Sequence, residues 1–307
     1  AVSALPTAFF GDSKSFDSVE ISGVTLDQDQ LALVAGWTKP QAGAQSIQVK
    51  RLKIKSVRLS ARGLDIPPFE GDITLGADGT LQRAVLTDGK LRVDMAPKDK
   101  AIRVALEARA WKAPLGPALE FDDIALEAVF EPQLVTITGM GAKVGVGSIK
   151  GAAKGSWGPN GIRVDGDFSV TNGELAKLMA GFTRDFSATG QLAVNATYTL
   201  QSAKLQDLFA DPKVEATFNI EKGTLNNVDV VRSIQSPSRD GVRGGRTGFN
   251  SLTGSMSLSG KTYSYKQLQL ASGPMQASGN VDVAPNGDLS GRISAELGTK
   301  TFTVARG

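Results

Sequence analysis

The side chains of this sequence that could do chemistry are carboxylates, hydroxyls and lysines, because its 307 residues include neither histidine nor cysteine. That removes Ser-His-Asp triads, thiol nucleophiles, Cys/His metal sites and the histidine pH switch. Gly260-Lys261-Thr262 has the form of the tail of a phosphate-binding loop, yet Ser255 stands where that pattern needs a glycine. The segment also joins two strand-like runs, whereas an anion is held at the start of a helix. No S-x-x-K and no G-x-S-x-G occurs. Asp122-Asp123 and the scattered acidic residues read as solvated turn formers rather than a glycosidase pair or a metal cage. The expectation is a non-enzyme without catalytic residues, metal or cofactor.

Charge and composition narrow the partners. Thirty-four basic against 31 acidic residues leave a net charge of +3, too balanced for a protein that lives on nucleic acid. In Lys50-Arg-Leu-Lys-Ile-Lys-Ser-Val-Arg-Leu-Ser-Ala-Arg62, Leu52 and Ile54 alternate with Arg51, Lys53 and Lys55, so one strand face is cationic. Lysines that guard a sheet edge against unwanted pairing are the favoured explanation. Contact of Arg51, Lys53 and Lys55 with anionic headgroups at a membrane surface is the second. Arg243-Gly-Gly-Arg246 is a lone RGG-like match without interleaved aromatics. No run of 18 apolar residues exists to span a bilayer. The opening Ala1-Val2-Ser3-Ala4-Leu5-Pro6 has no basic or apolar signal region, as expected of a mature form or one trimmed of an anchor.

The elements that must position any site are strands. Phe168-Ser-Val170, Leu192-Ala-Val194, Met256-Ser-Leu258, Leu268-Gln-Leu270 and Val281-Asp-Val283 alternate apolar with small or polar residues. Asp-Gly at 78, 88, 165 and 240 and Asn-Gly at 160, 172 and 286 supply hairpin signals between many such runs. At about ten residues per strand and turn, roughly 25 to 30 strands are expected. Helical spacing is brief: Leu175, Leu178, Met179 and Phe182; Leu205, Leu208 and Phe209; and Val228, Val231 and Ile234. These read as caps or plugs on sheet ends. The glycine-rich stretch 139–161 suggests a division into 1–150 and 151–307, and Ser236 to Gly248 reads as a loop.

An internal repeat carries the most information. Phe168-Ser-Val-Thr-Asn-Gly-Glu-Leu175 aligns with Phe218-Asn-Ile-Glu-Lys-Gly-Thr-Leu225 as F-x-[V/I]-x-x-G-x-L, with a weaker echo at Ala84-Val-Leu-Thr-Asp-Gly-Lys-Leu91. A second block follows each copy, Phe186-Ser-Ala-Thr-Gly-Gln-Leu-Ala-Val194 and Phe249-Asn-Ser-Leu-Thr-Gly-Ser-Met-Ser-Leu258. A repeated strand unit implies a stacked, elongated sheet. From Phe218 through Tyr265-Lys-Gln-Leu-Gln-Leu-Ala-Ser-Gly-Pro-Met-Gln-Ala-Ser-Gly-Asn-Val-Asp-Val283 to Asn286-Gly-Asp-Leu289, the sequence resembles the AsmA-like family of Gram-negative envelope proteins. The Phe168 to Leu200 copy looks like the preceding unit of that pattern.

The resemblance implies a periplasmic, usually inner-membrane-anchored protein related to bridge-like lipid-transfer proteins and linked to outer-membrane lipid homeostasis. It supplies no catalytic residue. The expected fold is all-β: an elongated, curved antiparallel sheet forming a half-open groove, with a few short helices. Aromatic residues are only 6 per cent, too few to fill the gap of a two-layer sandwich. Acyl chains would lie against Phe168, Val170, Leu192, Val194, Phe218, Ile220, Met256, Leu258, Leu268, Leu270, Val281 and Val283. The alternative is a structural or partner-binding β scaffold in an envelope assembly or secretion machine. A carbohydrate-binding surface has no support from the dispersed Trp37, Trp111 and Trp157.

Overall fold

The computed structural model describes residues 2–3, 14–23, 25–27, 47–61, 64–181, 188–228, 243–298 and 300–306. They form twenty-one strands, a six-residue helix and one turn of 3₁₀ helix. The fold is all-β, and mostly antiparallel, as the period-two patterning predicts. Among the described residues the strands are fewer than expected of the chain, and many are long, up to 17 residues in the second unit. Two compact units divide the chain: Ala1–Leu115 with Asp123–Thr138, and Gly116–Asp122 with Gly139–Gly307.

The first unit contains β1 (Val2–Ser3), β2 (Lys14–Phe16), β3 (Ser18–Ser22), β4 (Thr25–Asp27) and β5 (Ile47–Val49). They are followed by β6 (Arg51–Ala61), β7 (Leu64–Leu75), β8 (Leu81–Thr87), β9 (Leu91–Lys98) and β10 (Ala101–Lys112). Strands β6 to β10 form an antiparallel meander. β3 and β4 run parallel to β6 on its other side. The basic strand β6 is therefore not a sheet edge, and the edge-protection reading of its lysines is wrong. The chain passes between the units after Leu115, then within β11 (Glu120–Glu131) and again within β12 (Leu134–Val144).

The second unit continues with β13 (Gly147–Gly158), β14 (Gly161–Glu174), helix α1 (Leu175–Ala180), β15 (Ala188–Ser202) and β16 (Lys213–Val228). After these come β17 (Arg243–Ser259), β18 (Thr262–Ser272), β19 (Met275–Val283), β20 (Leu289–Leu297) and β21 (Lys300–Arg306). Each strand pairs antiparallel with the next in the chain. Within the unit the curved sheet stays open, since neither β11 nor β12, which lie beyond β13, is hydrogen-bonded to β21.

The repeat has a structural meaning that period two alone does not supply. In both copies the residue before the glycine takes a left-handed conformation, Asn172 at φ 55° and Lys222 at φ 51°. The β14–β15 register slips between Val170 and Gly173, and the β15–β16 register slips opposite Lys222 and Gly223. Such a bulge absorbs one residue, so F-x-V and G-x-L stay on one face although their spacing breaks the alternation. Asn172-Gly173 is thus a bulge rather than a hairpin, and Asp165-Gly166 lies inside β14. Asp88-Gly89, in the weaker echo, makes the β8–β9 turn instead, with the Asp88 N–H donating to the Leu91 carbonyl. Asp78-Gly79, Asn160-Gly161 and Asn286-Gly287 do lie at turns between strands, with left-handed glycines at φ 77°, 98° and 85°.

Helix α1 realises the first predicted helix, with Leu175 and Leu178 buried and Lys177 paired with Glu174 at 3.0 Å. At six residues it is too short to persist alone, so packing on the sheet holds it. The second becomes a 3₁₀ turn over Leu205–Asp207. The third begins at Val228, the last residue of β16, and its remainder lies outside the described residues. Of the expected loop at 236–248, residues 243–248 belong to β17 and the rest lie outside the described residues.

Candidate functional site

The hydrogen-bond register sorts the second unit's side chains into two contrasting faces. On one face, Tyr198, Val214, Leu258, Tyr263 and Val283 stand opposite one another on successive strands. The next row is Phe168, Ala196, Ala216, Met256, Tyr265 and Val281. Then come Val170, Val194, Phe218 and Gly254, with Leu268 packed over Gly254, and after these Leu192, Ile220, Leu252, Leu270 and Ala277. These rows hold no charged residue. The opposite face is polar: Ser169, Asn195, Thr217, Ser255 and Lys266 form one of its rows.

All twelve sequence-predicted groove residues, Phe168, Val170, Leu192, Val194, Phe218, Ile220, Met256, Leu258, Leu268, Leu270, Val281 and Val283, lie on this apolar face. Val170 and Ile220 are buried, while the other ten are half-buried. Among the described residues no bulky side chain is completely buried, and the buried apolar set is rich in alanine. A sheet face sealed by a second layer would hold fully enclosed leucines and phenylalanines instead. Side chains on the face converge. The Phe218 and Tyr265 rings sit edge to face with centroids 6.4 Å apart although β17 lies between their strands. Alternate strands are about 9.5 Å apart, so the rings lean together as they do on the inner side of a bend. Gly254 makes room for this, since a Cβ there would lie 2.8 Å from Leu268 and 3.2 Å from Phe218.

Packing is graded along the strands. At the α1 end, Leu175, Ala188, Ile220 and Phe249 form a buried cluster, with Met179, Leu192, Phe218, Leu225, Leu252 and Leu270 packed against it. At the other end the face carries aromatic rings, and Leu208, which ends the 3₁₀ turn between β15 and β16, is buried. Phe168 tilts against Tyr198 at 6.2 Å, and Tyr263 stacks on Tyr265 at 6.4 Å. Burial raises the Tyr198 phenol above its ordinary value, and the Asp167 carboxylate adds to the effect. Burial likewise raises Tyr265, with Tyr263 contributing. Both are neutral phenols at physiological pH.

Sequence reasoning missed Tyr198, Val214, Tyr263, Tyr265, Leu252 and the alanines Ala196, Ala216 and Ala277. A signal existed for the β18 tyrosines. Tyr263-x-Tyr265-x-x-Leu268-x-Leu270 has the same apolar spacing as the repeat, and Gln267 at φ 52° makes the corresponding bulge. The alanines carry no such signal and emerge only from register.

The predicted cationic residues lie in the first unit. Arg51, Lys53 and Lys55 border a polar hollow of about 480 Å³ together with Asp72, Arg83 and Arg92. Cross-strand carboxylates occupy much of this charge. Arg51 donates two hydrogen bonds to Asp72, at 2.7 and 2.5 Å, Arg83 pairs with Asp94, and Lys55 meets Glu20 at 3.0 Å. Hydrogen bonding to Arg83 holds the Asp94 carboxyl below its usual range, outweighing desolvation. A carboxylate depressed in this way stabilises the fold above the unfolded value of about 3.9 and stops doing so as pH falls through the folded value. Asp94→Asn is therefore expected to cost under about 1 kcal/mol at neutral pH, since the pair is partly solvated. In urea titrations the difference from the unsubstituted protein should shrink as pH falls below about 3.9, and a gap that stays constant on acidification would contradict the ion-pair account.

Among the described residues no helix is long and apolar enough to cross a membrane, and no three Asp or Glu side chains group to hold a metal ion. Fold and face define an all-β protein with an uncharged apolar sheet surface. Comparison with protein families, curated proteins and solved structures gives no match to this chain.

Proposed function

We propose that this chain is a non-enzymatic lipid-binding and lipid-transfer protein of the Gram-negative periplasm, holding acyl chains on the apolar face of its second unit. In this reading it belongs with AsmA-like envelope proteins, acts beside an inner membrane to which its full-length form is anchored, and supports outer-membrane lipid homeostasis. The observation that carries it is the run of uncharged rows across β14 to β19, half-buried and without a completely enclosed large side chain. Apolar area left open to water is stabilised by any hydrocarbon that covers it, at about 25 cal/mol per Å² or ~0.8 kcal/mol per methylene. The force is non-directional and indifferent to chain identity, which suits a carrier that must also release. The hollow bordered by Arg51, Lys53 and Lys55 adds a surface for anionic headgroups, limited by the carboxylates already bound there.

Native mass spectrometry of the purified protein should show co-purified phospholipid. Photo-cross-linkers at positions 192 and 258 should capture it, whereas one at the outward-facing 195 should not. Protein free of lipid, with no cross-link at either inner position, would reject the reading in favour of a partner-binding scaffold.

A further inference from the structure

The chain has three tyrosines, and all three lie on the apolar face of the second unit near one end of it. Tyr198 and Tyr263 share a row with Val214 and Leu258, and Tyr265 stands one row further in. Among the described residues no side chain or backbone group hydrogen-bonds any of the three hydroxyls. Tyr198 stands apart from the other two, three strands from β18, and its ring leans over Gly166 of β14, where a Cβ would lie 2.6 Å from its hydroxyl oxygen. In the four rows described above these phenols are the only polar side-chain groups.

We propose that Tyr263 and Tyr265, stacked at 6.4 Å on β18, donate hydrogen bonds to the two ester carbonyls of a diacyl glycerophospholipid, fixing where its glycerol sits while its tails run toward α1. The proposal rests on the lipid-binding reading and names the lipid class. Neutral donors on an uncharged surface suit a neutral acceptor such as an ester. A fatty-acid carboxylate would meet no cation within these rows. The dimensions agree: from Val214 in the tyrosine row to Ile220 in the buried cluster is six residues of β16, or about 20 Å. The hydrocarbon of one membrane leaflet is ~15 Å deep, so a tail fits between phenol and plug. Beyond the tyrosines, at the turn end, Lys204, Lys213 and Lys261 are matched by Asp207, Asp211 and Asp288, so the emerging headgroup meets no dominant sign.

The test compares four probes on the intact chain: diester phosphatidylglycerol, its diether analogue, oleate and the apolar dye diphenylhexatriene. The diester should bind about tenfold more tightly than the diether, which lacks the carbonyls, and more tightly than oleate. In the double variant Tyr263→Phe and Tyr265→Phe, diester and diether should converge while dye binding stays unchanged, which also shows the fold to be intact. Equal affinity for diester and diether in the unsubstituted protein, or oleate binding as tightly as the diester, would overturn the tyrosine assignment and leave the apolar site standing. Failure of every probe, the dye included, would remove the lipid reading itself.

Discussion

Met256→Asp should weaken phospholipid binding at least a hundredfold while shifting thermal unfolding by no more than a few degrees. Met256 sits mid-row between Ala216 and Tyr265, half-buried on the face that we assign to acyl chains. Without lipid, water reaches this position, so a carboxylate there keeps much of its hydration and the sheet ladder is untouched. Under a covering hydrocarbon chain the same carboxylate must be desolvated with no cation in the row, at a cost of several kcal/mol. About 2.7 kcal/mol already amounts to a hundredfold. Thr217→Asp is the matched control, because Thr217 is exposed on the polar face of neighbouring β16. Displacement of a fluorescent phospholipid reads both. Binding by the Met256 variant at the unsubstituted level would move the site off this face, whatever its apolarity. A partner captured equally well by both variants would leave transfer and scaffolding separable.

How far the sequence foretold this surface depends on which interaction decides each position. Alternation alone placed Leu192 and Val194, or Met256 and Leu258, on one face, because a strand has only two faces. It could not place Phe168 relative to Leu175, since an extra residue at Asn172 reverses the parity and only the bulge restores it. The repeat preserved that break in both copies, which is why the motif reads F-x-[V/I]-x-x-G-x-L and not a plain alternation. Misreadings came from pairs whose backbone freedom serves more than one use. Asp-Gly made a turn at 88–89, where the chain reverses, but at 165–166 the glycine accepts the Tyr198 ring instead. The charges of β6 were read as an edge because sequence gives no account of lateral neighbours; β3 and β4 occupy that side, and Asp72 and Glu20 take up Arg51 and Lys55. The graded packing along the apolar face was likewise invisible, since Leu192 and Leu258 look alike in sequence and differ only in distance from α1.

That gradient carries the second large expectation: Phe249→Ala should destabilise the second unit far more than Leu258→Ala. Phe249 is 5 per cent exposed, and its ring lies against Gly223, where an added Cβ would come within 2.1 Å of it. Around it Leu175, Ala188 and Ile220 close the cluster, so truncation leaves a cavity that a pleated sheet cannot collapse to fill. Removing a buried phenylalanine costs about 3 to 5 kcal/mol. At about 2–4 °C per kcal/mol for a unit of this size, the melting temperature should fall by roughly 6 to 20 °C. Leu258, on the same strand and the same face, is half-buried and already meets water, so its truncation should cost about 1 kcal/mol. The contrast follows from a face that is packed near α1 and open toward the tyrosines. Measured in the lipid-free protein, equal losses at the two positions would mean that the face is sealed along its whole length, with no room for a guest. With phospholipid bound, the stability of the unsubstituted protein should rise with lipid concentration, because the ligand adds to the folded state alone. Leu258→Ala should then show a larger penalty than it does in the lipid-free protein, because the hydrocarbon covering that position loses its contact.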